Sequence, residues 1–300
     1  MISSTELNAL SEGTLETDVM LSAYTTFQTG GPAAFFVSPK TEEGLSRLLQ
    51  RLTETETPYF ILGRGSNLLV SDQGYKGVVI CLRNRFSHVE TDGERITAGG
   101  GAMLSEVGTA ALSSSLGGLE FAWGIPGTVG GAVRMNAGAY GGEIKDVVES
   151  VRVMDRKGNV KNLSADALCF GYRKSRISEE GLLVLSACFH LSPRDPQQIR
   201  SAMDRIRARR MEKQPLEYAS AGSVFKRPEG YYAGTLIEQC GLKGLRVGDA
   251  CVSEKHAGFI VNLKSASSAD IYRLMTKVQE EVYQKTGVRL EREVLLLGEF

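Results

Sequence analysis

The chain is poor in the residues that announce several common functions. It has three histidines (His88, His190, His256), far apart in sequence, and five cysteines without a C-x-x-C pair, so no Cys/His cluster is set up to hold a structural zinc ion. The cysteine number is odd, and most cysteines (Cys81, Cys169, Cys188, Cys240, Cys251) sit in apolar runs, a pattern of reduced, buried thiols expected of the cytoplasm. Excess charge is also lacking. The 35 basic and 35 acidic side chains cancel and are spread along the chain, so the basic stripe of a nucleic-acid binder is missing. No apolar run reaches the roughly eighteen residues that span a bilayer. The opening MISSTELNAL lacks the basic region and apolar core of an export signal. Internal repeats and low-complexity segments are absent too. These absences leave a small molecule as the expected partner, with neither nucleic acid nor membrane.

What is present is an ordinary globular composition. Three hundred residues, 42% of them hydrophobic, suffice for two domains or three small ones. Near the start, FFV (35–37) reads as a strand, TEEGLSRLLQRL carries leucines at helical spacing, and YFIL (59–62) reads as a second, parallel strand. In such a βαβ unit the loop after Leu62 emerges at the carboxyl edge of the sheet, where α/β proteins place ligands. From Gly74 to His190 short β-rich segments dominate, with one helix around Met103–Leu116. Asp195 and Pro196 open a further helix, with Ile199, Met203 and Ile206 on its buried face. A polar loop (214–230), a short helix (232–240), the strand GFIVN, a helix from about Ala269 closed by Gly287, and a final strand VRLEREVLLLG complete the chain. The expected division is 1–82, 83–194 and 195–300, and the fold class is α+β.

Two glycine-rich segments stand out. GRGSN (63–67) follows a strand, and its glycines, with Ser66 and Asn67, suit a loop whose amides converge on an anion. It lacks the third glycine and immediate helix of a Rossmann fingerprint, because Leu68 begins LLVSD, which reads as a strand. Taken alone, GRGSN fits a glycine-rich turn better. GIPGTVGGAVRMNAGAYGGE (124–143) holds seven glycines in twenty residues, separated by apolar side chains and an Asn. Gly127, Thr128, Gly130, Gly131, Asn136, Ala137 and Gly138 suit close backbone approach to a flat diphosphate cofactor, or equally a tightly packed connection.

Other segments are individually unremarkable. SAGSVFKRP (220–228) has no G-x-S-x-G elbow and no supporting histidine, which argues against a Ser-His-Asp hydrolase. Tyr172-Arg173 in FGYRKSR matches a surface basic patch. Glu293 shares a strand face with Glu291 if the pleat is regular, and His256 in SEKHAGF matches a turn residue.

In order along the chain, YTTFQTGG, ILGRGSNLLVSD, LEFAWGIPGTVGGAVRMNAGAYGGE, FGYRKS, AGSVFKRP, AGTLIEQCGLKG, SEKHAGFIVN and LEREV resemble the UDP-N-acetylenolpyruvoylglucosamine reductase (MurB) family. The resemblance implies an FAD-binding fold of the vanillyl-alcohol-oxidase (PCMH) type in two sub-domains, plus a C-terminal α+β substrate domain whose final strand packs back on the flavin domain. It implies bound FAD, NADPH as co-substrate, and reduction of UDP-N-acetylglucosamine enolpyruvate to UDP-N-acetylmuramate, a step of peptidoglycan synthesis. The expected protein is a cytoplasmic monomer.

The resemblance also carries residue roles. Ser223 matches the proton donor, and Arg173 and Glu293 match residues that stabilise the enolate-like intermediate. Tyr172, Lys226, Arg227 and His256 fall at substrate-contacting positions, and Lys226 would favour the developing Ser223 alkoxide. Leu62, Gly63, Arg64, Gly65, Ser66, Asn67, Leu68, Gly124, Pro126, Gly127, Thr128, Gly130, Gly131, Ala132, Asn136, Ala137 and Gly138 fall at cofactor-binding positions. Only a strand and one helix fit between Arg173 and Ser223, so the chain resembles the shorter subtype without a substrate-capping tyrosine insertion. Arg227 stands where many members have Asn. A flavin oxidase or dehydrogenase on the same fold, and a non-catalytic nucleotide-binding module, are the competing classes.

Overall fold

Leu45, Leu48, Leu49 and Leu52 are spaced to share one face of a helix, and the computed structural model, which describes residues 2–300, buries all four on the helix Glu42–Glu54. Thr41 caps that helix, its hydroxyl accepting from the Gly44 amide at 3.0 Å, and Glu42 and Glu43 meet the positive end of the dipole. The leucines pack with Val37, Val78 and Ile80 from a sheet whose strand order is Thr14–Met20, Pro32–Ser38, Tyr75–Cys81, Tyr59–Leu62. The two strands flanking the helix in sequence are therefore not neighbours. Tyr75–Cys81 lies between them and pairs in parallel with Tyr59–Leu62, Leu62 opposite Cys81.

By its contacts the chain divides into two units, neither of them contiguous in sequence. The first comprises the residues up to Thr17, Phe35–Arg64 and Gly77–Arg209; the second comprises Asp18–Ala34, Gly65–Lys76 and Arg210–Phe300.

The first unit also holds a five-stranded antiparallel sheet, ordered Val160–Ser164, Val148–Met154, Leu183–His190, Arg95–Gly99, Val89–Asp92. Its central strand LVLSACFH is apolar almost throughout because both faces are covered. Leu183 and Leu185 join the core of the leucine helix, while Val184, Ala187 and Phe189 join a second core with the helices Leu104–Ser113 and Val129–Arg134. Val184 and Ala187 share a side because the register slips there: Val153 opposes Val184 and Arg152 opposes Ser186, leaving Leu185 unmatched, a β-bulge.

The second unit is built on the helix Ser268–Thr286, capped by Ser267 with Asp270 in a capping box and closed by Gly287 at φ 73. Ile271, Leu274, Met275, Val278 and Val282 are fully buried against the antiparallel sheet Ala219–Ser223, Phe259–Asn262, Ala250–Val252, Arg246–Val247. A separate parallel pair joins Leu68–Val70 to Leu295–Leu297.

Several expectations from the sequence need correction. The glycine-rich stretch contains a short helix, Val129–Arg134, that its glycines did not announce. Ser223 ends a strand within the segment read as polar loop. The last strand covers only Leu295–Leu297, so Glu291 and Glu293 precede it and do not share a regular pleat. Cys81, Cys240 and Cys251 are buried and Cys188 is half-buried, but Cys169 is exposed, at φ 47 after the turn Asp166–Leu168. Among the described residues, no helix is long and apolar enough to cross a membrane and no group of three His, Cys, Asp or Glu side chains could hold a metal ion.

Candidate active site

In the first unit the glycine-rich helix is hung on the bulge. The unmatched Leu185 offers its carbonyl to the Gly100 amide at 2.7 Å, and Gly100 in turn accepts from the Gly130 amide at 2.8 Å. Val129 N–H donates to Ala102 O at 2.9 Å, and Leu104 N–H to Gly127 O at 3.0 Å. Thr128 is the N-cap, its hydroxyl accepting from Gly131 at 3.4 Å, and Ala132 is buried within the helix. A side chain at position 130 would be crowded, its Cβ 3.0 Å from Gly100 O. Gly124 (φ 82), Pro126 and Gly127 lead into this cap from the turn Glu120–Ala122.

The two glycine-rich segments singled out in the sequence meet here. Leu62 ends its strand, and a Cβ on Gly63 would lie 2.6 Å from Thr128 Oγ1, so only bare backbone allows this approach. Arg64, the next residue, is exposed.

Asn136 is 1% exposed, and its side chain is fully occupied by the protein. It donates to Glu143 Oε2 at 2.6 Å and to Gly171 O at 3.2 Å, and accepts from the Lys145 amide at 3.0 Å. Asn136 adopts φ 43, a conformation asparagine tolerates better than most residues. Ala137 N–H returns to Ala132 O at 2.8 Å, and Gly138–Ala139 pairs with Gly142–Glu143. The network ties this hairpin to the turn bearing Tyr172 and Arg173. Gly171 and Lys174 exchange backbone hydrogen bonds of 3.0 and 3.3 Å, leaving Tyr172 and Arg173 at the corner. Arg173 sits at φ 56, its Nη2 3.5 Å from Gly138 O and its guanidinium carbon 5.2 Å from the Tyr172 ring centroid. Tyr172 is 48% exposed.

In the second unit Gly65 turns at φ 67, and a Cβ there would lie 2.2 Å from Tyr24 O. Its carbonyl accepts from the Thr26 amide at 3.2 Å. Thr26 Oγ1 is buried and makes no hydrogen bond within the protein, as is Thr29 Oγ1. A buried hydroxyl left without a partner suits a site that a ligand completes. Ser66 is half-buried, and Asn67 donates its side-chain amide to Glu293 O at 2.9 Å. Leu68, opposite Leu295, is packed in the sheet.

Ser223 and Glu293 are brought together. Phe225 and Arg292 form an antiparallel bridge, Glu293 N–H donates to Val224 O at 2.8 Å, and Lys226 N–H donates to Glu291 O at 2.8 Å. Ser223 Oγ donates to Phe225 O at 3.2 Å. The Lys226 ammonium is engaged by the Glu291 carboxylate and not by Ser223. Arg227 is exposed, with its guanidinium carbon 4.7 Å from the Tyr232 ring centroid.

His256 is half-buried. Its Nδ1 accepts from the Gly258 amide at 3.1 Å, and its ring meets Phe259 edge-on at 4.9 Å between centroids. Burial pushes the imidazole below its usual pKa of 6.5, so the ring is neutral at pH 7.

The sequence reading missed Gly99–Gly101. A Cβ at Gly100 would lie 2.1 Å from Val184 O, and the run AGGGA was the signal for that packing. It also passed over Arg134, whose pKa burial pushes down; a cation in the last turn of the helix suits the dipole there.

Residues 33–164 match the family model described as FAD binding domain, and residues 214–297 match that of the UDP-N-acetylenolpyruvoylglucosamine reductase C-terminal domain. All the residues expected at the cofactor, Leu62 to Gly138, lie within the first match, and Ser223, Lys226, Arg227, His256 and Glu293 lie within the second. The UDP-N-acetylenolpyruvoylglucosamine reductase of Clostridioides difficile (strain 630) is 50% identical over 293 residues, covering 98% of this chain and 96% of that one. The enzyme of the same name from Lactococcus lactis subsp. cremoris (strain MG1363) is 48% identical over 299 residues, with full coverage of both. The crystal structure of UDP-N-acetylenolpyruvylglucosamine reductase (MurB) from Thermus caldophilus superposes with a TM-score of 0.83 at 40% identity, covering 95% of this chain and 100% of that chain. The chain belongs to the UDP-N-acetylenolpyruvoylglucosamine reductase family.

Proposed function

We propose that the protein is an FAD-containing, NADPH-dependent oxidoreductase that reduces UDP-N-acetylglucosamine enolpyruvate to UDP-N-acetylmuramate, with Ser223, Arg173 and Glu293 as its catalytic residues. The observation that carries the residue assignment is the pairing of Val224 with Glu293, which puts the serine and the carboxylate on adjacent backbone segments. The first unit holds residues that fit the cofactor: bare backbone where Gly63 approaches Thr128, and small residues through Gly127–Ala132.

FAD held at Gly63 and Gly127–Ala132 and reduced by NADPH would supply a hydride for the terminal carbon of the enolpyruvyl group. The electron pair displaced from the double bond then rests on the neighbouring carbon and the carboxylate. Arg173, on the tight turn Gly171–Lys174, is the cation suited to that carboxylate. Ser223 gives its hydroxyl proton to the neighbouring carbon, and a serine is acid enough for this only because the acceptor is a strong base held close. Glu293 stabilises the same intermediate from the segment beside Ser223. Lys226 holds Glu291 in this structure, so support of the serine alkoxide by Lys226 would require that ion pair to open. Arg227 and Tyr172 are exposed cation and aromatic suited to the nucleotide moiety. His256 offers a neutral N–H.

We further infer a cytoplasmic monomer, consistent with five free cysteines, and retain 1–82, 83–194 and 195–300 as two flavin sub-domains and a substrate domain of the vanillyl-alcohol-oxidase plan. The test of function has two steps. Anaerobic NADPH bleaches the flavin absorbance, and adding the enolpyruvyl sugar nucleotide restores it; a flavin that stays reduced overturns the substrate assignment.

A further inference from the structure

Glu293 is gripped through its main chain on both sides. Its N–H donates to Val224 O, next to Ser223, at 2.8 Å, and its C=O accepts from the Asn67 side-chain amide at 2.9 Å. Asn67 also accepts, through its own carbonyl, from the Leu295 amide at 3.1 Å. One asparagine therefore holds the chain at Glu293 and again two residues later, at the point where the parallel pairing of Leu68 with Leu295 begins. Beyond Leu295 the ladder itself fixes the strand. Before it, Glu293 and Val294 turn aside to the Ser223 strand, with Val294 N–H 3.4 Å from Val224 O, and the Asn67 amide supplies a donor that no strand residue offers there.

We propose that Asn67 is a positioning residue for Glu293: its side-chain amide sets the Glu293 main chain against the Ser223 strand and so fixes where the Glu293 carboxylate is presented. The proposal rests on the reading of Ser223 and Glu293 as catalytic. It differs from a role in the cofactor wall, which would use the Asn67 side chain on FAD.

The experiment uses the FAD-loaded full chain with Asn67→Asp, which keeps the side-chain shape but removes the donor, and Asn67→Gln, which keeps an amide donor one carbon further out. Each half-reaction is followed anaerobically, together with FAD affinity measured by reconstitution of the apoprotein. For Asn67→Asp, reoxidation by the enolpyruvyl sugar nucleotide slows about tenfold or more, the loss expected for one charge-orienting hydrogen bond, and slows several times more than flavin reduction by NADPH does. Asn67→Gln recovers part of that rate. In a Glu293→Gln background, Asn67→Asp adds little further slowing, because its effect passes through Glu293. Equal slowing of both half-reactions, loss of FAD affinity alone, an unchanged reoxidation rate, or full additivity with Glu293→Gln each overturns the proposal. Should Asn67→Asp fail to fold, the Asn67→Gln comparison and its additivity with Glu293→Gln decide. Failure of the underlying reading is distinct: wild-type reduced flavin would then ignore the sugar nucleotide, whatever residue 67 is.

Discussion

The amide of Gly258 donates to Nδ1 of His256 across 3.1 Å, which leaves the single proton of the neutral ring on Nε2. The imidazole is thereby a fixed donor at its far nitrogen. Nitrogen-15 NMR of the ring is expected to show the Nε2–H tautomer and a titration below pH 6.5, the direction that burial imposes. The linkage has a definite sign: the unfolded chain binds a proton at this ring before the folded one does. The contribution of His256 therefore leaves stability intact above its unfolded pKa and erodes it as pH falls below that value. A ring titrating above 6.5 would contradict this.

Gly258→Ala tests the same contact sterically. Its Cβ would lie 3.0 Å from His256 Cε1, 3.2 Å from Nδ1 and 3.4 Å from Ser223 Oγ, so the ring must give way. The expected loss of stability is about 1 kcal/mol, at the low end for overpacking. Urea unfolding checks it, and a raised KM for the sugar nucleotide with a normal KM for NADPH is expected alongside.

Ser223→Ala is expected to leave flavin reduction by NADPH unchanged and to slow reoxidation by the enolpyruvyl sugar about a hundredfold or more, the range for a lost general acid. Stopped-flow absorbance separates the two steps. Equal slowing of both would remove Ser223 from proton donation.

Gly63 and Thr128 are expected to be energetically coupled. Gly63→Ala drives a Cβ to within 2.6 Å of Thr128 Oγ1 and breaks the cap over Gly131. Thr128→Ala removes the same cap by itself, at a cost of about 1 kcal/mol. The double variant should fall short of the sum of the single losses, in both stability and FAD affinity. Strict additivity would mean the two segments do not share this contact.

Asn136→Ala strips three hydrogen bonds from a buried site and places an ordinary residue at φ 43. Denaturant unfolding is expected to show a loss of about 3 kcal/mol, the scale for a buried network broken on one side.

Much of the fold was legible because helix periodicity and caps are local. The leucine spacing of 45–52, Asp195 before Pro196, and Gly287 after the long C-terminal helix each located an element. Thr128 was equally a capping residue, but four glycines around it masked the short helix that Val129, Ala132 and Val133 mark. The final strand was overread because LEREVLLL looks continuous, whereas Glu291 to Val294 pair with a different segment from Leu295–Leu297. Nothing in either stretch signals that change of partner. For the proposed site, sequence motifs pointed to Ser223, Arg173 and Glu293 only jointly; none carries a local pattern that a turn or surface patch would not also show. The dual employment of Asn67 and the buried network of Asn136 were invisible for the same reason: side-chain partners distant in sequence leave no periodicity.

The strand Leu68–Val70 is released from the ribosome long before Leu295–Leu297, and Asn67 and Glu293 are 226 residues apart. During synthesis the early segment of the second unit carries a strand edge whose partner does not yet exist. Asp72, which accepts from the amides of Ser268 and Ala269, and Phe27, whose carbonyl takes the Asn262 amide, wait in the same way. Such long-range closure slows folding and leaves a nascent edge open to other chains. Residues 18–34 and 65–76 therefore complete these pairings only after residues 262–297 have been made.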